Sequence, residues 1–134
     1  QAELAFKLGQ VDQLSELLSK QEVVEWPNVE ASEVLRTDMF VAVFYNTSNS
    51  LLADKSLRQG LSYAIKDKEM GQLRALSSYD PKSWVYNKTV KNYDYNESRA
   101  KELVQKVLPN GQEVIELATT PDLLFVAEKI KSDW

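Results

Sequence analysis

Seven consecutive apolar residues, Met39-Phe40-Val41-Ala42-Val43-Phe44-Tyr45, restrict the folds open to this chain more than any other feature. The run is short for a core helix, rich in aromatic and β-branched residues, and stops at the turn formers Asn46-Thr47-Ser48-Asn49-Ser50. That combination predicts a strand buried on both faces. Asp54 then offers an N-cap, and Leu57, Leu61, Ala64 and Ile65 recur at helical spacing. Residues 39–66 thus predict a buried strand, a polar loop and a helix. On open α/β scaffolds, ligands gather at such a loop, beyond the carboxyl end of a strand.

The rest of the chain supplies elements around that unit. Residues 2–8 and 11–18 predict two short helices joined at Gly9, which fits a helix C-cap. Residues 22–26 fit either a helix end or a brief strand, broken by Pro27-Asn28. Residues 29–36 alternate as a half-buried strand through Val29, Ala31 and Val34. The Thr37-Asp38 turn would pair that strand antiparallel with the apolar run. Residues 77–96 form a long loop holding Trp84 and four tyrosines, a length that in a compact domain is usually functional. Asn96 caps a helix with Ala100, Leu103, Val104 and Val107 inward, stopped by Pro109-Asn110-Gly111. Residues 113–118 predict a strand burying Val114, Ile115 and Leu117. Thr120 and Pro121 then open a last helix with Leu123, Val126, Ala127, Ile130 and Trp134 on its inner face.

Composition excludes whole classes of chemistry. The chain has neither cysteine nor histidine, so Cys-His and Ser-His nucleophile pairs and His-bound zinc cannot be built from it. A net charge of -4 gives no overall basic field for nucleic acid. Asp67, Glu69, Asp80, Asp94 and Glu97 interleave with lysines and lack metal-ligand spacing, so they read as solvated charge, and no metal or cofactor is expected. The glycines form no phosphate-binding motif. Three glycosylation sequons, at Asn46, Asn87 and Asn96, carry little weight in so Asn- and Ser-rich a chain. Asn46-Thr47-Ser48-Asn49 reads either as a ligand-binding loop or as a turn that satisfies its own backbone. Trp84, Tyr86, Tyr93 and Tyr95 read either as stacking walls or as a cover for the core.

Longer motifs point to a family. Phe44-Tyr45-Asn46-Thr47 precedes Asp54-Lys55-Ser56-Leu57-Arg58-Gln59-Gly60-Leu61-Ser62-Tyr63-Ala64-Ile65-Lys66; upstream stands Leu8-Gly9-Gln10-Val11-Asp12. Downstream come Pro81-Lys82-Ser83-Trp84-Val85-Tyr86-Asn87, Tyr93-Asp94-Tyr95-Asn96 and Ala100-Lys101-Glu102-Leu103-Val104. In order and spacing this resembles the extracellular solute-binding proteins of family 5, which serve ABC importers for oligopeptides, dipeptides and nickel. The sequence departs from the family pattern at Ser50-Leu51-Leu52 (Pro-Pro-Phe), Leu57 (Val), Gly60 (Ala) and Lys66 (Asp).

The resemblance implies an α/β fragment of a two-lobed periplasmic-binding-protein-like (type II) fold, with a short mixed sheet flanked by helices. Residues 1–45 would end one lobe and carry the hinge strand; residues 46–134 would begin the other. It implies a non-enzymatic protein that captures a solute, an oligopeptide by preference, in the cleft between lobes and presents it to a membrane permease. The setting would be extracellular or periplasmic, compatible with a lipid anchor on the full-length protein. Asn46 and Thr47 would contact the ligand at the hinge-side loop, with Trp84 and Tyr86 as walls. Chain ends inside helical patterning suggest a piece of a longer protein, which as a homodimer would cover its exposed faces. An oligosaccharide solute, stacked on Trp84, Tyr86, Tyr93 and Tyr95, is one alternative. An intracellular domain docking a protein partner is the other.

Overall fold

The computed structural model describes residues 1–15, 17, 22–71, 73–111 and 113–134, in two compact units, Gln1–Arg36 and Thr37–Trp134. The first unit holds helix α1 (Ala2–Lys7) and a 3₁₀ turn (Glu22–Glu25) that buries Val23. Gly9, at φ +68°, ends α1 as expected. The Gly9 N–H donates to the Phe6 carbonyl at 3.0 Å and the Gln10 N–H to the Ala5 carbonyl at 2.8 Å, the paired bonds of a Schellman motif. The helix expected over 11–18 is not seen. Residues 11–15 and 17 are irregular, and 16 and 18 lie outside the described residues.

The second unit is organised by two crossing helices, α2 (Lys55–Ala64) and α3 (Glu97–Val107). Both begin where cap chemistry places them. The Asp54 carboxylate accepts the Ser56 and Leu57 N–H groups at 2.6 and 3.2 Å, and the Asn96 Oδ1 accepts the Arg99 N–H at 2.9 Å. Leu57 is wholly buried and joins Leu52 and Leu61 in the core, against Tyr45, Val104, Val107, Ile115 and Trp134. Gly60 sits at the crossing. A Cβ built there would lie 2.8 Å from Val104 Cγ2 and 3.2 Å from the Ala100 carbonyl oxygen, so the missing side chain sets how closely the helices approach.

A second 3₁₀ turn (Pro121–Leu123) leads into α4 (Leu124–Asp133). Pro121 stands at its start as expected, but the Thr120 side chain makes no capping bond. The far end of α4 clamps the end of α2. The Asp133 carboxylate accepts the Lys66 N–H at 2.9 Å, the Lys129 ammonium reaches Asp67 at 3.1 Å, and Trp134 Nε1 donates to the Leu61 carbonyl at 3.0 Å.

The expected α/β class is not formed: among the described residues there is no strand and no sheet. The run 39–45 is not buried on two faces. Phe44 is 88% exposed, and Met39, Phe40 and Val41 also face solvent, with only Val43 and Tyr45 turned partly inward. Residues 30–36 are exposed coil. In 113–118, Ile115 and Leu117 are half-buried while Val114 is 91% exposed. Apolar patterning determines which segment can enter a sheet, but a strand exists only where a neighbour completes its hydrogen-bond ladder.

Candidate functional site

Two cavities flank residues 113–118 of the second unit, and the 46–53 loop forms part of one of them. That loop is built by its own side chains. Asn46 Oδ1 accepts the Ser48 N–H at 3.1 Å, and Asn49 Oδ1 accepts the Leu51 and Leu52 N–H groups at 2.9 and 3.3 Å. The loop thus satisfies part of its own backbone through its asparagine side chains. Arg58 fastens its far end: the guanidinium donates to the Leu52 and Ala53 carbonyls, each at 2.7 Å. Before the loop, the Tyr45 hydroxyl lies 3.2 Å from the Ser62 hydroxyl, which donates to the Arg58 carbonyl at 2.8 Å. Burial pushes the Tyr45 phenol up, against the opposing pull of Ser62 and the Arg58 charge.

The cavity beside the loop, about 540 Å³, lies between Asn46, Asn49, Leu51 and Leu52 on one side and residues 114–116 and 118 on the other. The second, about 610 Å³, opens between α2, α3 and α4 over Leu57, Leu61, Val104 and Trp134, with Glu113, Glu128 and Lys131 as its charged members. Both are mixed apolar and polar spaces. They offer amide and carboxylate hydrogen bonding. Among the described residues no group of acidic side chains could hold a metal ion, and no helix is long and apolar enough to cross a membrane.

Of the four candidate contact residues, Asn46 lines the smaller cavity, whereas Thr47, Trp84 and Tyr86 line neither of the two. Thr47 is exposed at the turn. Trp84 is 95% exposed and Tyr86 half-buried, on a loop shaped by short-range bonds: Lys82 N–H to Asp80 Oδ1 at 2.7 Å and Tyr86 N–H to the Ser83 carbonyl at 3.1 Å. The Thr37 hydroxyl donates to the Asp80 carboxylate, tying this loop to the segment before the apolar run. Tyr93 packs edge-on against Tyr63 of α2 at 5.2 Å, its hydroxyl accepting from Gln59 at 3.1 Å and its ring lying under the Lys91 ammonium. That tyrosine is a cover for the helix. Asn49, in the loop marked by the sequence, lines the smaller cavity too, and so does Glu116, which the sequence reading did not single out. The signal was available in Glu116, the polar position between inward Ile115 and Leu117.

Comparison with known proteins adds distant kinship. The chain is 25% identical over 138 residues to heme-binding protein A of Haemophilus influenzae, covering 84% of this chain and 25% of that protein. It is 25% identical over 107 residues to the dipeptide-binding protein and to di/tripeptide-binding protein 3 of Pseudomonas aeruginosa, covering 69% of this chain and 20% of each. The chain thus spans about a quarter or less of the relatives it matches. No family model matches, and no solved structure does. The chain is a remote relative of proteins named for binding heme and short peptides.

Proposed function

We propose that this chain is a segment of a two-lobed extracellular solute-binding protein of family 5, which captures a short peptide and delivers it to an ABC permease without bond chemistry. The observation that carries the reading is the alignment with binding proteins over most of the chain, 84% in the case of heme-binding protein A. The motifs around Asn46, Asp54 and Tyr93 agree with it. Peptide is preferred as the solute because several of the relatives are named for di- and tripeptides. Residues 1–45 belong to the end of one lobe and 46–134 to the start of the other. The Asn46-Thr47 turn then sits at the cleft, and affinity comes from lobe closure around the solute. Asn46 and Thr47 supply polar contacts and Trp84 and Tyr86 supply walls, each completed by residues of the longer protein. The protein works in the periplasm or outside the cell, where a lipid anchor would keep it beside its permease.

Native mass spectrometry of the full-length protein, purified without refolding, tests this. A ladder of short-peptide masses is the expected result. A bound heme, with its Soret absorbance, would keep solute capture and replace the peptide; an oligosaccharide mass would do the same. Turnover of a peptide by the protein would overturn the binding reading altogether.

A further inference from the structure

The chain has seven asparagines, and the structure divides them sharply. Asn46, Asn49, Asn87 and Asn96 each hold their side-chain oxygen in a hydrogen bond from a backbone N–H two or three residues ahead. Those bonds fix the carboxamide in a turn or cap and must break before it can turn freely toward the next peptide nitrogen. Asn28, Asn92 and Asn110 make no such bond among the described residues. The first two are followed by Val29 and Tyr93, whose side chains crowd the adjacent nitrogen. Asn110 is followed by Gly111.

The surroundings of that pair favour reaction. Asn110 and Gly111 are both exposed, just beyond the end of α3. Gly111 has φ +61°, and a Cβ built on it would meet nothing within 4 Å, so no neighbouring group crowds the glycine. One solvent-exposed bond restrains the Gly111 N–H, to the Leu108 carbonyl at 3.1 Å, and bonds of that kind at element ends open readily.

We propose that Asn110 is a site of spontaneous, structure-selected deamidation. The Gly111 peptide nitrogen attacks Asn110 Cγ, forming a new C–N bond. The side-chain nitrogen leaves as ammonia, taking the proton from the Gly111 nitrogen, and a succinimide remains. Water then opens the ring at either carbonyl, giving aspartate or isoaspartate. The sum is asparagine plus water to aspartate or isoaspartate plus ammonia, with no redox change.

The product changes the fold locally. A carboxylate appears just past the C-terminus of α3, where the helix dipole disfavours negative charge. It also directly precedes Gly111, which lines the 610 Å³ cavity together with Glu113. The isoaspartate form inserts a methylene into the main chain leading to residues 113–118, which lie between the two cavities. Deamidation therefore loosens the end of α3 and makes the rim of that cavity more acidic.

The test is incubation of the 134-residue chain at mildly alkaline pH, folded and in parallel in urea, with peptide mapping and labelling by an isoaspartyl-specific methyltransferase. In the folded chain, Asn110 is expected to convert first, with both aspartate and isoaspartate as products. Asn46, Asn49, Asn87 and Asn96 should stay intact until urea breaks their bonds. Gly111→Ala should lose most of the product, and Asn110→Asp should reproduce the more anionic chromatographic form without incubation. An intact Asn110 in folded protein, or equal protection of the four bonded asparagines in urea, would overturn the assignment.

Discussion

Tyr45 and Trp134 stack with ring centroids 6.4 Å apart and planes 22° apart, joining the end of the apolar run to the last residue of the chain. Both rings pack on the Leu52-Leu57-Leu61 core, and the indole nitrogen is satisfied by the Leu61 carbonyl. Trp134 is half-buried, so Trp134→Ala should cost less than the 3–5 kcal/mol of a fully buried aromatic, about 2 kcal/mol. Trp134→Phe keeps the stack and drops the Nε1 bond, for a loss of about 1 kcal/mol. Urea unfolding followed by far-ultraviolet circular dichroism would separate the two. Equal losses would mean that the hydrogen bond, not the ring, holds α2 to the end of α4.

Gly60 sets two effects against each other. Placing alanine inside a helix gains roughly 1 kcal/mol of intrinsic propensity over glycine. Here, however, the new methyl would meet Val104 Cγ2 at 2.8 Å and the Ala100 carbonyl at 3.2 Å. The valine is stiff at χ1 and the carbonyl belongs to the α3 backbone, so neither yields cheaply. Overpacking of this kind costs about 1–3 kcal/mol, which makes Gly60→Ala destabilising on balance. Combining it with Val104→Ala should recover part of the loss, a non-additivity measurable by a double-mutant cycle. Full additivity would show that the helices shift apart without strain.

What could be read from the sequence follows the range of the interaction involved. Asp54, Gly9 and Asn96 were legible because capping is settled within three or four residues, whatever the rest of the chain does. The inner faces of α2 and α3 followed from helical spacing for the same reason. The strands failed because a ladder is a tertiary property. Val43 and Tyr45, like Ile115 and Leu117, keep the two-residue alternation and face partly inward. Phe44 and Val114 between them face solvent with no ladder formed. Within the candidate site, the Asn46 turn was legible as local hydrogen-bond chemistry. The cavities beside it were not, since they are framed by α4 and residues 113–118, brought in from far along the chain.

Asp67 links stability to pH. Its carboxyl is held below the usual carboxylate range, first by the Met70 backbone N–H, then by Lys129 and by the Glu69 N–H. The same bonds hold Met70 at φ +49°, a left-handed conformation that a non-glycine residue seldom adopts unaided. A folded-state pKa below the unfolded one means that the stabilisation is present above the unfolded value, about 4, and is lost as pH falls through the folded one. Asp67→Asn should therefore lower the melting temperature near neutrality and flatten its decline in acid. Glu97 and Asp80, also held low, keep some acid sensitivity in the variant. An unchanged acid slope in Asp67→Asn would remove Asp67 from the linkage.

Trp84 gives an optical handle on the proposed binding wall. It is 95% exposed, whereas Trp26 is 43% exposed and Trp134 half-buried, so it should dominate the acrylamide-quenchable emission of the chain. Trp84→Phe should remove most of that component while changing stability by less than about 0.5 kcal/mol, as for other surface sites. In the full-length protein, a peptide that closes the lobes over this ring should shield it from quencher and shift its emission to the blue. Trp84→Ala should then weaken peptide binding by about 1–2 kcal/mol, roughly 5–30-fold, as expected for a wall aromatic covered on binding. If peptide binds with Trp84 still fully quenchable, the ring lies outside the cleft. Its exposure would then belong to the surface of the 77–96 loop, and the contacts of the solute would have to be sought around Asn46.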